Sequence, residues 1–268
     1  KLTPRLEAIA RQMFALPYVE LGTHTYSHPF DWSRTVPGAA GDRAKEGPGA
    51  DKGGGDTAFA LSIPGYKFSL DREIAGSINY INERLAPPGK RVKILQWSGD
   101  CQPPEIAVRM TWDAGVLNLN GGDTTITRSS PSWTEIAPLG IDKGPGAYQV
   151  FAPNQNENIY TNLWHGPYYG FSRAIETFEL PEKPYRFKPI GIYYHMYSGT
   201  KLASLKALKK VYDYALAQPV FPIYSTEYVA KVLDFRSMAI AREVGDDNTW
   251  VVRGDGDLRE LRWMARGT

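Results

Sequence analysis

Apolar residues recur at helical spacing in several stretches of the chain. Helices are predicted at 3–13, 69–85, 104–114, 201–217 and 226–233. The second of these begins at Ser69 and is ended by Pro87. Its apolar face consists of Leu70, Ile74, Ile78, Ile81 and Leu85. Each predicted helix is therefore expected to bury one face against other elements.

Short apolar runs between the helices predict strands at 18–21, 91–97, 116–120 and 189–196. Because strands alternate with helices, the predicted fold class is α/β with a barrel-like layer, not a sandwich or a helical bundle. Near the C-terminus, 250–253 and 258–263 are predicted to pair as a β hairpin around Asp255-Gly256. The predicted domains are a barrel-like domain over 1–238 and, over 239–268, an appended hairpin or the start of a small β module.

Two long segments lack apolar periodicity. Residues 36–57 are rich in Gly, Pro, Ala and charged side chains, which predicts a long loop. Both a disordered insertion and an active-site lid agree with that composition. Residues 129–158 are rich in Pro, Gly and Asn, and are predicted to form an ordered but irregular loop.

The composition is that of a globular protein, with 42% hydrophobic residues, 22% charged residues and a net charge of +2. So small a net charge does not imply a nucleic-acid partner. No apolar stretch is long enough to span a membrane, so no direct membrane insertion is predicted. Aromatic residues make up 12% of the chain, and such rings either stack on sugar faces or fill the core.

Two of the four histidines, His24 and His28, follow directly after a predicted strand. If the segment turns helically, both imidazoles project from one face with Cβ atoms about 5 to 6 Å apart, which suits two ligands of one metal ion. Zinc in hydrolases normally needs a third protein ligand, usually a carboxylate, and an open position for water. The alternative is that both histidines are exposed loop residues.

The segment His24-Thr25-Tyr26-Ser27-His28 matches the pattern His-(Ser/Thr)-x-x-His. In this it resembles the second motif of the polysaccharide deacetylases of carbohydrate esterase family four. Later segments resemble the deacetylase domains that modify Pel, a biofilm exopolysaccharide; they are 69–85, 97–101, 118–124 and 192–195. The resemblance extends over most of the chain.

The resemblance implies a distorted (β/α) barrel and a divalent metal, most often zinc, with His24 and His28 as two of its ligands. It also implies that an aspartate acts as general base and that a late histidine acts as general acid. His195 is the candidate acid because it ends a strand late in the chain, although it could also simply pack between its neighbours. Asp100 is a second catalytic candidate, or else an ordinary turn residue.

Three further residues are candidates for substrate binding. Trp97 either lines a sugar cleft or packs in the core, and Asp123 either contacts sugar hydroxyls or belongs to a tight turn. His165, in a predicted loop, is either a surface residue or a substrate contact.

The chain departs from the family pattern in one respect. The family's aspartates, for the base and the third ligand, precede the histidine motif, whereas the 23 residues before His24 contain no aspartate. The barrel is therefore expected to be incomplete at its N-terminus, and the fragment to be weak or inactive alone. The segment 111–115 is superficially similar to the family's first motif, but it is predicted to lie in a helix.

The function implied by the resemblance is hydrolytic N-deacetylation of an N-acetylhexosamine-containing exopolysaccharide in the periplasm. The implied partners are the polysaccharide and proteins of an exopolysaccharide secretion complex. The alternative is a carbohydrate-binding or scaffold module without turnover. A glycoside hydrolase would need two carboxylates about 5 to 10 Å apart, and no pair of acids stands out at predicted strand ends.

Overall fold

The computed structural model describes residues 4–36, 59–183, 185–246, 248–258 and 260–261. Contacts divide the chain into two compact units, Lys1–Pro222 and Ile223–Thr268. The predicted domain boundary after residue 238 stays a prediction. The two units divide after Pro222, before the helix predicted at 226–233, whereas the predicted boundary places that helix in the first domain. Apart from Val36, the predicted loop 36–57 lies outside the described residues.

A parallel sheet forms the centre of the first unit. Its strands, in the order β1-β2-β3, are β1 Leu21–Thr23, β2 Val92–Gln96 and β3 Leu117–Leu119. Helices lie between consecutive strands of this sheet, so the structure is mixed α/β. In the part of the chain that the structure describes, this sheet has three strands and does not close, so the (β/α) barrel stays a prediction.

Four helices accompany the sheet: α1 Pro4–Ala15, α2 Leu70–Glu73, α3 Ala75–Tyr80 and α4 Glu105–Asp113. The single helix predicted from Ser69 is divided, because Ile74 leaves the helical region with φ −99° and ψ −80°. Ile74 and Ile78 nevertheless face the core as predicted, and the last turn, Ile81–Leu85, is π-helical. The main core cluster includes Leu21, Trp32, Ile74, Leu95, Trp97 and Val108.

A β hairpin lies where the sequence predicted an irregular loop. Its strands are β4 Gly140–Gly144 and β5 Ala147–Val150, which pair antiparallel. The prediction missed it because the first strand contains polar and glycine residues, while Pro145-Gly146 supplies a strong turn signal. The main-chain N–H of Asn120 donates to the carbonyl oxygen of Val150, which joins the hairpin to the end of β3.

The rest of the first unit is mainly helical, with α5 Glu157–Tyr160, α6 Ala174–Glu179 and α7 Leu202–Leu216. These helices share a second core cluster that includes Tyr160, Phe171, Phe178, Leu208 and Val211. The strand predicted at 189–196 is wrong, because 189–195 is not paired in a sheet. The main-chain N–H of His195 donates to the side chain of Glu157 and not to a neighbouring strand.

The second unit contains α8 Ser225–Ser237 and an antiparallel hairpin of β6 Ala239–Arg242 and β7 Trp250–Arg253. The C-terminal hairpin therefore exists, but its predicted pairing is wrong, since β7 pairs with the preceding segment. Gly245, at φ 90°, provides a turn that the sequence analysis did not use. Residues 259 and 262–263 of the predicted partner strand lie outside the described residues. No described helix is long and apolar enough to cross a bilayer.

Candidate functional site

Polar side chains gather at the carboxyl ends of the three parallel strands. His24 follows β1 directly, Gln96 is the last residue of β2, and Asn120 comes just after β3. Because carboxyl ends of parallel strands meet at one edge of a sheet, this is a common place for a site. The phenol oxygen of Tyr193 accepts a hydrogen bond from Asn120 Nδ2 at 2.8 Å. The same phenol also forms hydrogen bonds with the side chains of Gln96 and Asn156.

The structure brings His24 and His28 together, with ring centroids 4.9 Å apart and ring planes at 75°. The helical turn considered from the sequence is not the cause. Thr25 and His28 instead have left-handed backbones, with φ of 70° and 53°. These two bends fold the segment 24–28 back on itself, which is an unfavourable backbone for non-glycine residues and needs support from surrounding contacts.

Both histidines are held neutral at neutral pH. Burial lowers the pKa of His24 to about 4, and the charge of His28 lowers it further, while the hydrogen bond that His24 donates to the carbonyl oxygen of Gln96 acts in the opposite direction. His24 Nδ1 lies 2.8 Å from the carbonyl oxygen of Gln96, so Nδ1 carries the proton and Nε2 keeps its lone pair. Burial also lowers the pKa of His28. His28 Nδ1 is buried and has no hydrogen-bond partner.

The neutral state and the nitrogen atoms of both histidines fit zinc, but the pair supplies only two ligands. Neutral imidazole is a preferred zinc ligand, and an unpartnered buried ring nitrogen next to a second imidazole with a free lone pair suits a cation between them. His24 and His28 can therefore supply two ligands. Within the described ranges, no group of three or more His, Cys, Asp or Glu side chains could hold a metal ion, so the third ligand is not found there.

His195 lies near enough to this pair for its charge to act on both rings, and it is held by a buried acid. Its Nδ1 is 3.2 Å from Glu157 Oε2, and its main-chain N–H donates to Glu157 Oε1 at 2.5 Å. Ser198 Oγ donates to the same Oε1 at 2.8 Å. The Glu157 side chain is 2% exposed and that of His195 is 29% exposed, so the carboxylate lies behind an accessible imidazole. When protonated, His195 lowers the pKa values of both His24 and His28, which are also lowered by burial.

Aromatic rings surround the three histidines. Tyr197 stacks on His195 at 4.9 Å, and the ring of Trp164 lies 4.1 Å from Tyr197 and 6.1 Å from His195. Phe30 lies 4.7 Å from His28 and is 40% exposed. Asn162, Leu163 and Trp164 have consecutive left-handed backbones, with φ of 48°, 53° and 68°. Rings of this kind are suited to contact the apolar face of a sugar.

The contacts that the structure shows for Trp97 and Asp100 are structural, and their predicted roles in catalysis and substrate binding stay predictions. Trp97 is fully buried and packs perpendicular to Trp32, so its ring belongs to the core. The Asp100 carboxylate accepts hydrogen bonds from the main-chain N–H groups of Trp32 and Gln102, at 3.3 and 3.1 Å. These contacts hold the loop after β2 against the segment after the histidine motif.

Asp123 and His165 are both exposed. Asp123 accepts a hydrogen bond from the side chain of Gln155, and the main-chain N–H of His165 donates to the carbonyl oxygen of Asn162. Their roles in substrate binding stay predictions. Within the segment 111–115, residues 111–113 lie in the last turn of α4 as predicted, whereas 114 and 115 follow the helix.

Glu157 and the role of Gln96 were not predicted from the sequence. Glu157 resembles an ordinary acidic residue in the first turn of a short helix. Its contact with His195 spans 38 positions, and that between Gln96 and His24 spans 72. Local patterns carry no signal for such pairs.

Comparison of the chain with protein-family models, with curated proteins and with solved structures gave no match. What the chain does must therefore be inferred from the site itself.

Proposed function

We propose that this chain is the catalytic part of a metal-dependent N-deacetylase acting on a Pel-like, N-acetylhexosamine-containing exopolysaccharide. The observation that carries the proposal is the proximity of His195, backed by the buried Glu157, to the neutral pair of His24 and His28. A general acid next to two ligand histidines supplies part of the arrangement that metal-assisted hydrolysis of an amide needs.

The reaction is the addition of water to the acetamide carbonyl carbon, followed by cleavage of the C–N bond. The products are acetate and a free amine. A bound divalent cation would polarise the carbonyl oxygen and lower the pKa of the attacking water. Protonated His195 can give its proton to the leaving nitrogen. Glu157 accepts from His195 Nδ1, which orients the ring and leaves Nε2 as the nitrogen that can donate to the substrate.

The rings around the histidines support a sugar substrate. Phe30 lies on the side of His28, and Trp164 and Tyr197 lie on the side of His195. Rings on both sides can contact a hexosamine while its acetamido group points at the histidines. A polysaccharide substrate of this type agrees with the proposed periplasmic location and with proteins of a secretion complex as partners.

Zinc binding tests the proposal. The chain is titrated with zinc by calorimetry, beside a His24→Ala/His28→Ala double variant and a His165→Ala control that removes an exposed histidine. We expect one zinc ion to bind to the wild type and to His165→Ala, and none to the double variant. Absence of zinc binding by the wild type would contradict the deacetylase and favour a carbohydrate-binding module, which titration with N-acetylhexosamine oligomers would then detect.

A further inference from the structure

Glu73, the last residue of α2, carries a carboxylate with no exposed surface. Both of its oxygens accept hydrogen bonds. Oε2 accepts from the main-chain N–H groups of Tyr26 and Ser27, each at 2.8 Å. Oε1 accepts from Ser27 Oγ at 2.5 Å and from the phenol of Tyr66 at 2.6 Å. One buried side chain thus joins α2 to the middle of the histidine motif.

These contacts suit a charged carboxylate. An ionised carboxylate is purely an acceptor, so it can take up four donors, whereas a protonated one would present a donor of its own to them. In the described part of the chain, Glu73 forms no ion pair. Hydrogen bonds from these donors stabilise a buried negative charge but do not neutralise it. The charge therefore also acts on a positive group nearby.

The contacts of Glu73 control the backbone between the two ligand histidines. Tyr26 and Ser27 lie between Thr25 and His28, the two residues with left-handed backbones. Fixing the N–H groups of 26 and 27 fixes the directions in which both imidazoles leave the chain. The charge of Glu73 also acts on His28, where it opposes the lowering of the pKa by burial. The same charge attracts a cation bound there.

We propose that Glu73 is a positioning residue for a divalent cation held by His24 and His28, acting both as the anchor of their loop and as a buried counter-charge. The inference rests on the proposed metal-dependent function. The inferred residue, Glu73, lies on a separate element, α2. It contacts the backbone of the histidine motif and not the cation itself. Outer-shell residues of this kind orient the ligands of metal sites.

The test compares Glu73→Gln with Glu83→Gln, which removes the same charge from an exposed position nearby in the chain. Both variants are titrated with zinc, and with cobalt to record its absorption spectrum. We expect Glu73→Gln to weaken zinc binding by about 10- to 100-fold and to alter the cobalt spectrum, and Glu83→Gln to match the wild type. Equal affinities in Glu73→Gln and the wild type overturn the inference.

A second measurement separates this inference from the proposed function. Amide hydrogen exchange of Tyr26 and Ser27 is recorded in the metal-free protein. We expect exchange at least about tenfold faster in Glu73→Gln than in Glu83→Gln, because an amide group cannot accept from all four donors. If the wild type binds no zinc, the proposed function and the counter-charge role fail together, whereas the exchange still decides the anchoring role. Unchanged exchange overturns that role.

A milder variant covers the case in which Glu73→Gln does not fold. Tyr66→Phe removes one of the donors and leaves the carboxylate in place. We expect it to weaken zinc binding by about fivefold, the effect of losing a single hydrogen bond. Zinc binding equal to that of the wild type in this variant would contradict the inference.

Discussion

The Nδ1 atom of His24 lies 2.8 Å from the main-chain carbonyl oxygen of Gln96, which ends the neighbouring strand β2. Because a carbonyl oxygen can only accept, this contact assigns the proton to Nδ1 and leaves the Nε2 lone pair free. We expect the metal-free protein at pH 7 to show His24 as the Nδ1–H tautomer in ¹⁵N–¹H correlation spectra of the imidazoles. An Nε2–H tautomer would contradict the ligand role of Nε2.

Glu157 is expected to act through His195. Glu157→Gln preserves the size of the side chain but replaces the carboxylate oxygen that accepts from His195 Nδ1 with a group that no longer fixes the ring. We expect the low kcat of this chain for acetate release from N-acetylhexosamine oligomers to fall at least about tenfold further, with little change in KM. Glu83→Gln, which is exposed, serves as the control. A kcat equal to that of the control would mean that Glu157 only stabilises the fold.

A glycine at position 99 is expected to be required for the stability of the fold. Gly99 has φ 58°, and a Cβ atom there would be 2.4 Å from Phe30 Cα and from the carbonyl oxygen of Pro29. Gly89 also has a positive φ, 83°, but a Cβ atom there would meet nothing within 4 Å. We expect Gly99→Ala to lower the free energy of unfolding by more than about 2 kcal/mol and Gly89→Ala by about 1 kcal/mol. Urea denaturation measures both, and equal losses would refute the close approach.

Lys188 is expected to make stability depend on pH. Burial lowers its pKa from 10.5 to about 8, while its Nζ donates to the carbonyl oxygens of Ala137 and Pro138. Between these two pKa values the unfolded chain binds more protons than the folded one, so the free energy of unfolding rises with pH. From pH 7.5 to 9.5 we expect Lys188 to contribute a rise of about 2 kcal/mol.

The measurement is urea denaturation at the two pH values for the wild type, Lys188→Met and Lys210→Met, in which an exposed lysine is replaced. In Lys188→Met alone, the rise in the free energy of unfolding should be smaller, by the about 2 kcal/mol that Lys188 contributes. The same rise in all three proteins would show that Lys188 is solvated when charged.

Local patterns predicted much of the secondary structure. The helix α7 and the strands β2 and β3 lie where apolar spacing placed them, because each buries a face that the sequence marks directly. The same reasoning failed at β4, where Gly140 and Asp142 hide the strand pattern, and at 189–196, where an apolar run has no neighbouring strand. It also gave β7 the wrong partner, since pairing depends on which turn closes.

The histidine motif, its place after a strand and the late position of His195 can be read from the amino-acid sequence. The packing of distant segments brings His195 near His24 and His28, buries Glu157 behind it, and lets Glu73 hold the motif from another helix. The reason is physical. Local spacing records which side chains share a helix face or a strand face, whereas contacts that span 38 to 72 positions depend on how those elements pack.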